Sequence, residues 1–111
     1  MESTLQSTTI AQLNDAFRKT FIGGMVVMTH GFQSLPGDSQ KAFLSSVQSF
    51  NHFNEDNDPY GEHDFGAILH NGQRIFWKLD YYNPTMDAGS ENPADPSITK
   101  RVLTIMLAQE Y

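Results

Sequence analysis

The dipeptide Asn71-Gly72 constrains the fold of this chain more than any other feature of its sequence. Asparagine and glycine tolerate the two successive positive φ angles of a two-residue hairpin turn, and β-forming segments flank them at 64–70 and 73–82. A two-residue turn pairs residue 70 with residue 73, so each residue of the first strand lies opposite the residue whose number brings the sum to 143. This register assigns every side chain of the hairpin to one of its two faces. The face predicted to enter the core carries Asp64 with Leu79, Gly66 with Trp77, and Ile68 with Ile75.

Hydrophobic spacing predicts three further elements ahead of the hairpin. A first helix begins at Thr9, which has capping-box spacing, and ends at the diglycine at 23–24, with residues 1–8 before it as a disordered tail. The β-forming run at 25–30 predicts a strand. A second helix begins after the N-cap candidate Asp38 and places its apolar residues on one stripe.

The segment after Asp95-Pro96 predicts a last helix, because aspartate is a good N-cap and proline fits the first helical turn. Its apolar residues would cover more than half of the circumference, so we expect it to pack across the sheet. Lys100 and Arg101 would oppose the dipole in its first turn and would need acidic partners. The predicted order α-β-α-β-β-α indicates one α+β domain over 9–111, a small antiparallel sheet of about three strands packed against three helices.

Composition excludes several classes of protein. With 39% hydrophobic and 12% aromatic residues among 111, the chain can fill a core, which excludes wholesale disorder. It has no cysteine, which excludes a disulfide scaffold, a thiolate metal site and a thiol nucleophile. The longest apolar run, Met25–Met28, is far shorter than the ~20 residues of a membrane span, and residues 1–4 show no basic segment followed by an apolar stretch. We therefore expect a cytoplasmic protein without membrane contact.

The net charge of −6 is concentrated in the middle of the chain. Residues 55–95 hold nine acids and two bases, whereas the remainder holds four acids and five bases. Nucleic-acid binding depends on lysine and arginine, so we expect no direct contact with nucleic acid. Spaced carboxylates on a rigid domain can instead imitate duplex phosphates in the groove of a basic or nucleic-acid-binding protein. The predicted partner-binding residues are Glu55, Asp56, Asp58, Glu62, Asp64, Asp87, Glu91 and Asp95.

Other interpretations of this region remain open, the simplest being a solvated acidic loop. Glu62, His63 and Asp80, with Tyr60 nearby, form a carboxylate and imidazole cluster, and the hairpin register places His63 opposite Asp80. Such a cluster favours a general base or a divalent-metal ligand set. Neighbours along a strand point to opposite faces, and no nucleophile accompanies them, so we assign no catalytic residue, metal ligand or cofactor. A self-associating structural protein is a third alternative.

Several stretches of the chain carry a family resemblance. The most specific are EDNDPYGEHDFG at 55–66 and VLTIMLA at 102–108, and LNDAFR at 13–18 accompanies them. These stretches resemble an uncharacterised alphaproteobacterial family, domain-of-unknown-function family 3768, over residues 10–111. The resemblance implies no activity or cofactor, but its members look like accessory genes of mobile elements. We therefore expect a non-enzymatic acidic interaction module, an anti-restriction or anti-CRISPR type inhibitor that acts by nucleic-acid charge mimicry.

Overall fold

The structure, a computed structural model, describes the backbone of residues 2–111 and the side chains of residues 6–111. Its helices are α1 (Glu2–Thr20), α2 (His30–Gln33) and α3 (Gly37–Ser49). Its strands are β1 (Met25–Met28), β2 (Phe65–His70), β3 (Gln73–Tyr82) and β4 (Lys100–Leu107). They form one four-stranded sheet in the order β1-β4-β3-β2, in which β1 runs parallel to β4 and the other pairs are antiparallel. The α+β class is confirmed, but the sheet is mixed and has four strands.

The hairpin has the predicted register from Phe65 opposite Lys78 to the pair beside the turn. The turn residues Asn71 and Gly72 have φ angles of 50° and 77°. Trp77 is fully buried, and a Cβ added at position 66 would overlap its indole ring. Position 66 therefore accepts only glycine without rearrangement of the core, and the predicted core face is confirmed.

The predicted last helix is wrong, because that segment forms the central strand β4. Leu103 and Ile105 are fully buried toward the helices, while Val102 and Met106 on the opposite face are also more than nine-tenths buried. A central strand covered on both faces has a nearly continuous apolar run, and over this length such a run is also compatible with a helix. The capping signal at Asp95 is real but opens only a single 3-10 turn, Pro96–Ile98.

The first helix is longer at its N-terminus than predicted. It begins at Glu2 rather than at Thr9, so residues 2–8, which were predicted as a tail, belong to the helix, and Met1 lies outside the described residues. The short helix α2 was not predicted; the Thr29 hydroxyl caps it by accepting the backbone N–H of Phe32. Within the described part of the chain, no helix combines the length and apolar character needed to cross a bilayer.

Two long loops leave the sheet at the same end. The register places Tyr82 opposite Lys100 and Phe65 opposite Lys78, so β3 ends where β2 and β4 begin. The connection into β2 at 50–64 and the connection from β3 to β4 at 83–99 therefore both lie there. Both loops contain the acids singled out in the sequence, and their geometry defines the candidate site.

Candidate functional site

All eight predicted partner-binding acids belong to the two loops at this end of the sheet. We call them the acidic pole: Glu55, Asp56, Asp58, Glu62, Asp64, Asp87, Glu91 and Asp95. None of them forms an ion pair with lysine or arginine in the described part of the chain; such pairs join Arg18 to Asp15 and Lys78 to Asp80. The lysines and arginines of the described residues therefore form no direct ion pair with the pole, although the charge of Glu62 attracts Arg101.

Three acids of the pole extend freely into solvent. Glu55, Asp56 and Glu91 are exposed, and their carboxylates make no hydrogen bond or ion pair with other described residues. These side chains can be replaced without loss of a contact inside the fold. They are the best-placed members of the pole for contact with another protein.

Two further acids are accessible but also stabilise their own loop. Asp87 accepts hydrogen bonds from Asn83 Nδ2 and Thr85 Oγ1, both at 2.8 Å, and these bonds lower its pKa. Asp95 accepts the Ser97 hydroxyl at 2.6 Å and the Ser97 backbone N–H at 2.9 Å, which lowers its pKa as well. Both carboxylates therefore stay charged over a wider pH range and hold the loop in one shape.

Asp58 faces inward, contrary to the prediction that it belongs to the binding surface. It is 9% exposed, and its Oδ1 accepts the backbone N–H groups of Glu62 and His63, each at 3.1 Å. These bonds close the loop on itself between residues 58 and 63. Asp58 is therefore a positioning residue for the neighbouring acids.

A buried polar network ties the two acidic loops together. At its centre lies Asn14, fully buried on α1, whose Nδ2 donates to the Glu62 carbonyl at 2.9 Å and to the Tyr81 hydroxyl at 2.8 Å. The Tyr81 hydroxyl in turn donates to Glu62 Oε1 at 3.0 Å. Arg101 Nε donates to Asn14 Oδ1 at 2.8 Å, and Arg101 also donates to the carbonyl of Pro93 in the second loop. Arg101 lies in strand β4 and not in the predicted helix; amide and carbonyl oxygens accept its hydrogen bonds, while the charge of Glu62 attracts it.

Burial and like charge raise the pKa of two groups in this region. Desolvation raises the pKa of Tyr81, whose hydroxyl donates a hydrogen bond to Glu62. Desolvation raises the pKa of Asp64 as well, and the nearby carboxylate of Glu62 adds to the increase. The surroundings of Asp64 and Tyr81 therefore disfavour the ionised form of each group.

Arg18 anchors the helix under the acidic pole, a role for which the sequence offers no signal. It is 1% exposed; its guanidinium donates to the Val47 carbonyl at 2.7 Å and to Asp15 Oδ1 at 2.9 Å. It also lies over the rings of Phe53 and Trp77, at 5.6 and 5.1 Å from their centroids. Only the folded arrangement of α1 against α3 brings these groups together.

The predicted pairing of His63 with Asp80 is wrong. His63 has a φ angle of 56°, which turns the chain before β2 begins, so the hairpin register does not extend to this position. Its imidazole stacks on Phe53 with centroids 4.0 Å apart, and its Nδ1 lies 3.0 Å from Asp15 Oδ2. Asp80 instead pairs with Lys78 at 3.0 Å.

This arrangement does not assemble the metal or catalytic cluster considered from the sequence. Both ring nitrogens of His63 face carboxylates, Asp15 at 3.0 Å and Asp58 at 3.7 Å, so neither points to an open position. Tyr60, expected near the cluster, is 79% exposed. Among the described residues, no three histidine, aspartate or glutamate side chains are grouped so that they could hold a metal ion.

Comparison with known proteins identifies the family of the chain. A family profile described as "Protein of unknown function (DUF3768)" matches residues 28–110, which include both acidic loops and the strands β2, β3 and β4. No curated protein and no solved structure matches the chain. The match covers most of the sequence and agrees with the resemblance of its most specific stretches. The chain therefore belongs to the DUF3768 family of proteins of unknown function.

Proposed function

We propose that this protein is a non-enzymatic interaction module whose acidic pole binds the cationic surface of a basic or nucleic-acid-binding protein. One observation carries the proposal: no acid of the pole pairs with lysine or arginine in the described residues. The two buried arginines, Arg18 and Arg101, donate to backbone carbonyls, to Asn14 and to Asp15. Their hydrogen bonds therefore leave the carboxylates of the pole without an arginine donor.

The construction of the loops supports the same conclusion. Asn14 and Arg101 connect the first loop to the second, and Asp58, Asp87 and Asp95 fix the loops internally. The loop backbones and the carboxylates of Asp87 and Asp95 are therefore held in place, and a preorganised charge pattern steers a complementary partner. Glu55, Asp56 and Glu91 stand on these fixed loops with side chains that are free to adjust to the partner.

Exposure limits the set of residues that we propose touch the partner. That contact set is Glu55, Asp56, Asp87, Glu91 and Asp95. Asp58 and Glu62 are left out because their carboxylates accept hydrogen bonds within the fold, and Asp64 is left out because it is partly buried. Nucleic-acid-guided and nucleic-acid-cleaving proteins hold their substrates in positively charged channels. An inhibitor of restriction or CRISPR proteins that occupies such a channel is the form of this function that we propose.

Affinity capture with a matched variant tests the proposal. The immobilised chain is exposed to a bacterial lysate at ~50 mM and at ~500 mM salt, because screening shortens the reach of surface charges. The triple variant Glu55→Lys, Asp56→Lys, Glu91→Lys is treated in parallel, and Asp38→Lys is the control, since Asp38 is exposed on α3 outside the pole. We expect a nucleic-acid-binding protein that is captured at low salt by the wild type and by the control only.

Competition then separates charge mimicry from any other contact. Short duplex DNA added to the captured complex should release the partner, because both ligands occupy the same cationic groove. A partner that remains bound at high salt, that binds the triple variant equally well, or that binds DNA and the chain together contradicts the proposal.

A further inference from the structure

A cleft opens at the beginning of β4, between the diglycine at 23–24 and the loop 83–99. Its volume is about 500 Å³, which is within the range of sites that hold small molecules. Met25, Met86 and Val102 form apolar walls together with Pro84 and Pro96. The cleft can therefore receive the apolar body of a small molecule.

The charge of the lining determines which molecules suit the cleft. Among the described residues, the charged ones that line it are two cations, Lys100 and Arg101, and neither forms an ion pair with a carboxylate. On the adjoining loop, Glu91 lines a separate cavity, while Asp87 and Asp95 accept hydrogen bonds from residues of their own loop and do not line the cleft. The lining therefore complements an anion.

The buried guanidinium of Arg101 keeps one donor nitrogen unpaired. Arg101 is 4% exposed, and its Nε and Nη2 donate to Asn14 Oδ1 and to the Pro93 carbonyl. Its Nη1 has no hydrogen-bond partner among the described residues. Nη1 is not sealed in the core, because the buried side-chain nitrogens without a partner in that part of the chain are Arg18 Nε and Trp77 Nε1. It therefore borders open space, where an anionic oxygen can accept its hydrogen bond.

Arg101 also lines a smaller cavity of about 220 Å³ on the side of the sheet that α1 covers. Leu13 and Phe17 of α1 form part of its wall, and it shares Gly23 and Thr99 with the cleft. Because the two cavities have these residues in common, they adjoin each other at Arg101. A ligand that occupies the cleft can therefore place a charged group beside the guanidinium.

We propose that this cleft binds a small amphipathic anion, whose charged oxygen accepts a hydrogen bond from Arg101 Nη1 and whose apolar body lies against Met25, Met86 and Val102. Lys100, which is exposed and lines the same cleft, adds attraction for the anion. Carboxylate and phosphate oxygens both match a guanidinium donor, so the shared chemistry is an anionic oxygen on an apolar body. No acid of the acidic pole lines the cleft, and this inference does not rest on the proposed function.

Titration of the isotope-labelled full chain with octanoate, octyl phosphate and octanol, followed by NMR, tests the site. We expect at least one of the two anions to shift the amide signals of residues 23–25, 85–86 and 97–102 in a saturable way, and the tighter anion identifies the charged group. Octanol has the same apolar chain without the charge and should bind at least about tenfold more weakly. Equal binding of octanol, no saturable shift with either anion, or shifts confined to the cavity beside His52 and Leu69 would overturn the inference.

Matched variants check the charged and the apolar parts of the site. Lys100→Met and Met25→Gln should each weaken binding of the tighter anion at least about threefold. Lys41→Met is the control for charge, because Lys41 is exposed on α3, and Leu69→Gln is the control for the apolar wall, because Leu69 is 63% exposed on β2. Both controls should bind like the wild type. Equal losses in a variant and its control would overturn the inference.

The role of Arg101 is followed in the wild-type chain, because its replacement would also break the bonds to Asn14 and Pro93. The NMR signal of its Nη1 should shift as the tighter anion saturates the cleft and should keep its position with octanol. An Nη1 signal that does not move in the saturated complex would overturn the assignment of the anionic group to this guanidinium.

Discussion

The two ends of the sheet use carboxylates in opposite ways. At the end near the hairpin turn, Glu110 accepts the Thr29 hydroxyl at 2.6 Å, the Leu107 N–H at 2.8 Å and the Gly31 N–H at 3.1 Å. That carboxylate is fully occupied in holding the chain after β4 against α2. At the other end, eight acids collect on two loops; Asp58, Asp87 and Asp95 accept hydrogen bonds that fix those loops, whereas Glu55, Asp56 and Glu91 make none within the described residues. The difference teaches that a carboxylate without a donor in reach is free for a partner, while one that meets several donors stabilises the fold.

The largest expected effect comes from breaking the network under the acidic pole. Arg101→Met removes the donor that joins Asn14 to Pro93 and leaves their buried oxygens without a partner. We expect the free energy of unfolding to fall by about 3 kcal/mol, measured by urea denaturation. The neighbouring exposed cation gives the control, and Lys100→Met should change stability by less than about 0.5 kcal/mol. If Arg101→Met and Lys100→Met lowered the free energy of unfolding equally, the hydrogen-bond network would not stabilise the acidic end of the sheet.

The opposite end should respond to loss of the Glu110 carboxylate. Glu110→Gln weakens the bonds to Thr29 and Gly31, so we expect a decrease of a few degrees in Tm at neutral pH. Those bonds lower the pKa of Glu110, with the Thr29 hydroxyl as the largest cause. A lowered pKa means that the stabilisation is present above the unfolded-state pKa and is lost as the pH falls through the folded-state pKa.

Thermal unfolding across the acidic range therefore checks this end. The difference in Tm between the wild type and Glu110→Gln should disappear at low pH. Gly31→Ala should resemble Glu110→Gln, because a Cβ at position 31 would overlap the carboxylate of Glu110. A Tm difference that is the same at all pH values would contradict the assigned role of the carboxylate.

A gain in stability is expected from one acid at the acidic end. The pKa of Asp64 is raised by burial and by Glu62, so its proton binds more tightly in the folded state and ionisation at neutral pH opposes folding. Asp64→Asn should therefore raise Tm at pH 7, and the gain should shrink as the pH falls below the folded-state pKa. Asp56→Asn, an exposed neighbour, is the control and should leave Tm unchanged. A lower Tm for Asp64→Asn at pH 7 would show that the ionised carboxylate stabilises the fold.

The smallest effect on stability is expected from the free acids of the pole. The triple variant Glu55→Lys, Asp56→Lys, Glu91→Lys loses no internal contact of the described residues and reduces the net negative charge. Its free energy of unfolding should match that of the wild type within about 0.5 kcal/mol in urea denaturation. A large destabilisation would mean that these acids belong to the fold, as Glu110 does.

Sequence reasoning succeeded where the structure is decided locally. The turn residues Asn71 and Gly72 fix the hairpin register by their own backbone preferences, and Trp77 over Gly66 follows from that register. Strand β4 could not be predicted in the same way, because its apolar run is compatible with a helix until β1 and β3 are known to flank it.

The candidate site shows the same limit. The charge asymmetry located both acidic loops, but it could not show which acids turn inward. The Asp58 carboxylate accepts two backbone N–H groups as its loop closes, and the Glu62 carboxylate accepts the hydroxyl of Tyr81, which is distant in the sequence. Likewise, the positive φ angle at His63 turns the chain out of the hairpin register, so His63 does not lie opposite Asp80. These contacts depend on tertiary packing, which cannot be inferred from the spacing of residues in the sequence.

The salt dependence of affinity for the captured partner tests the central claim most directly. For the wild type, the logarithm of the affinity should fall steeply and linearly with the logarithm of the salt concentration, as for the cationic groove on DNA itself. The triple variant Glu55→Lys, Asp56→Lys, Glu91→Lys should bind more weakly and show a shallower slope. Equal affinities and equal slopes for the two proteins would contradict the claim that the acidic pole is held for a cationic partner.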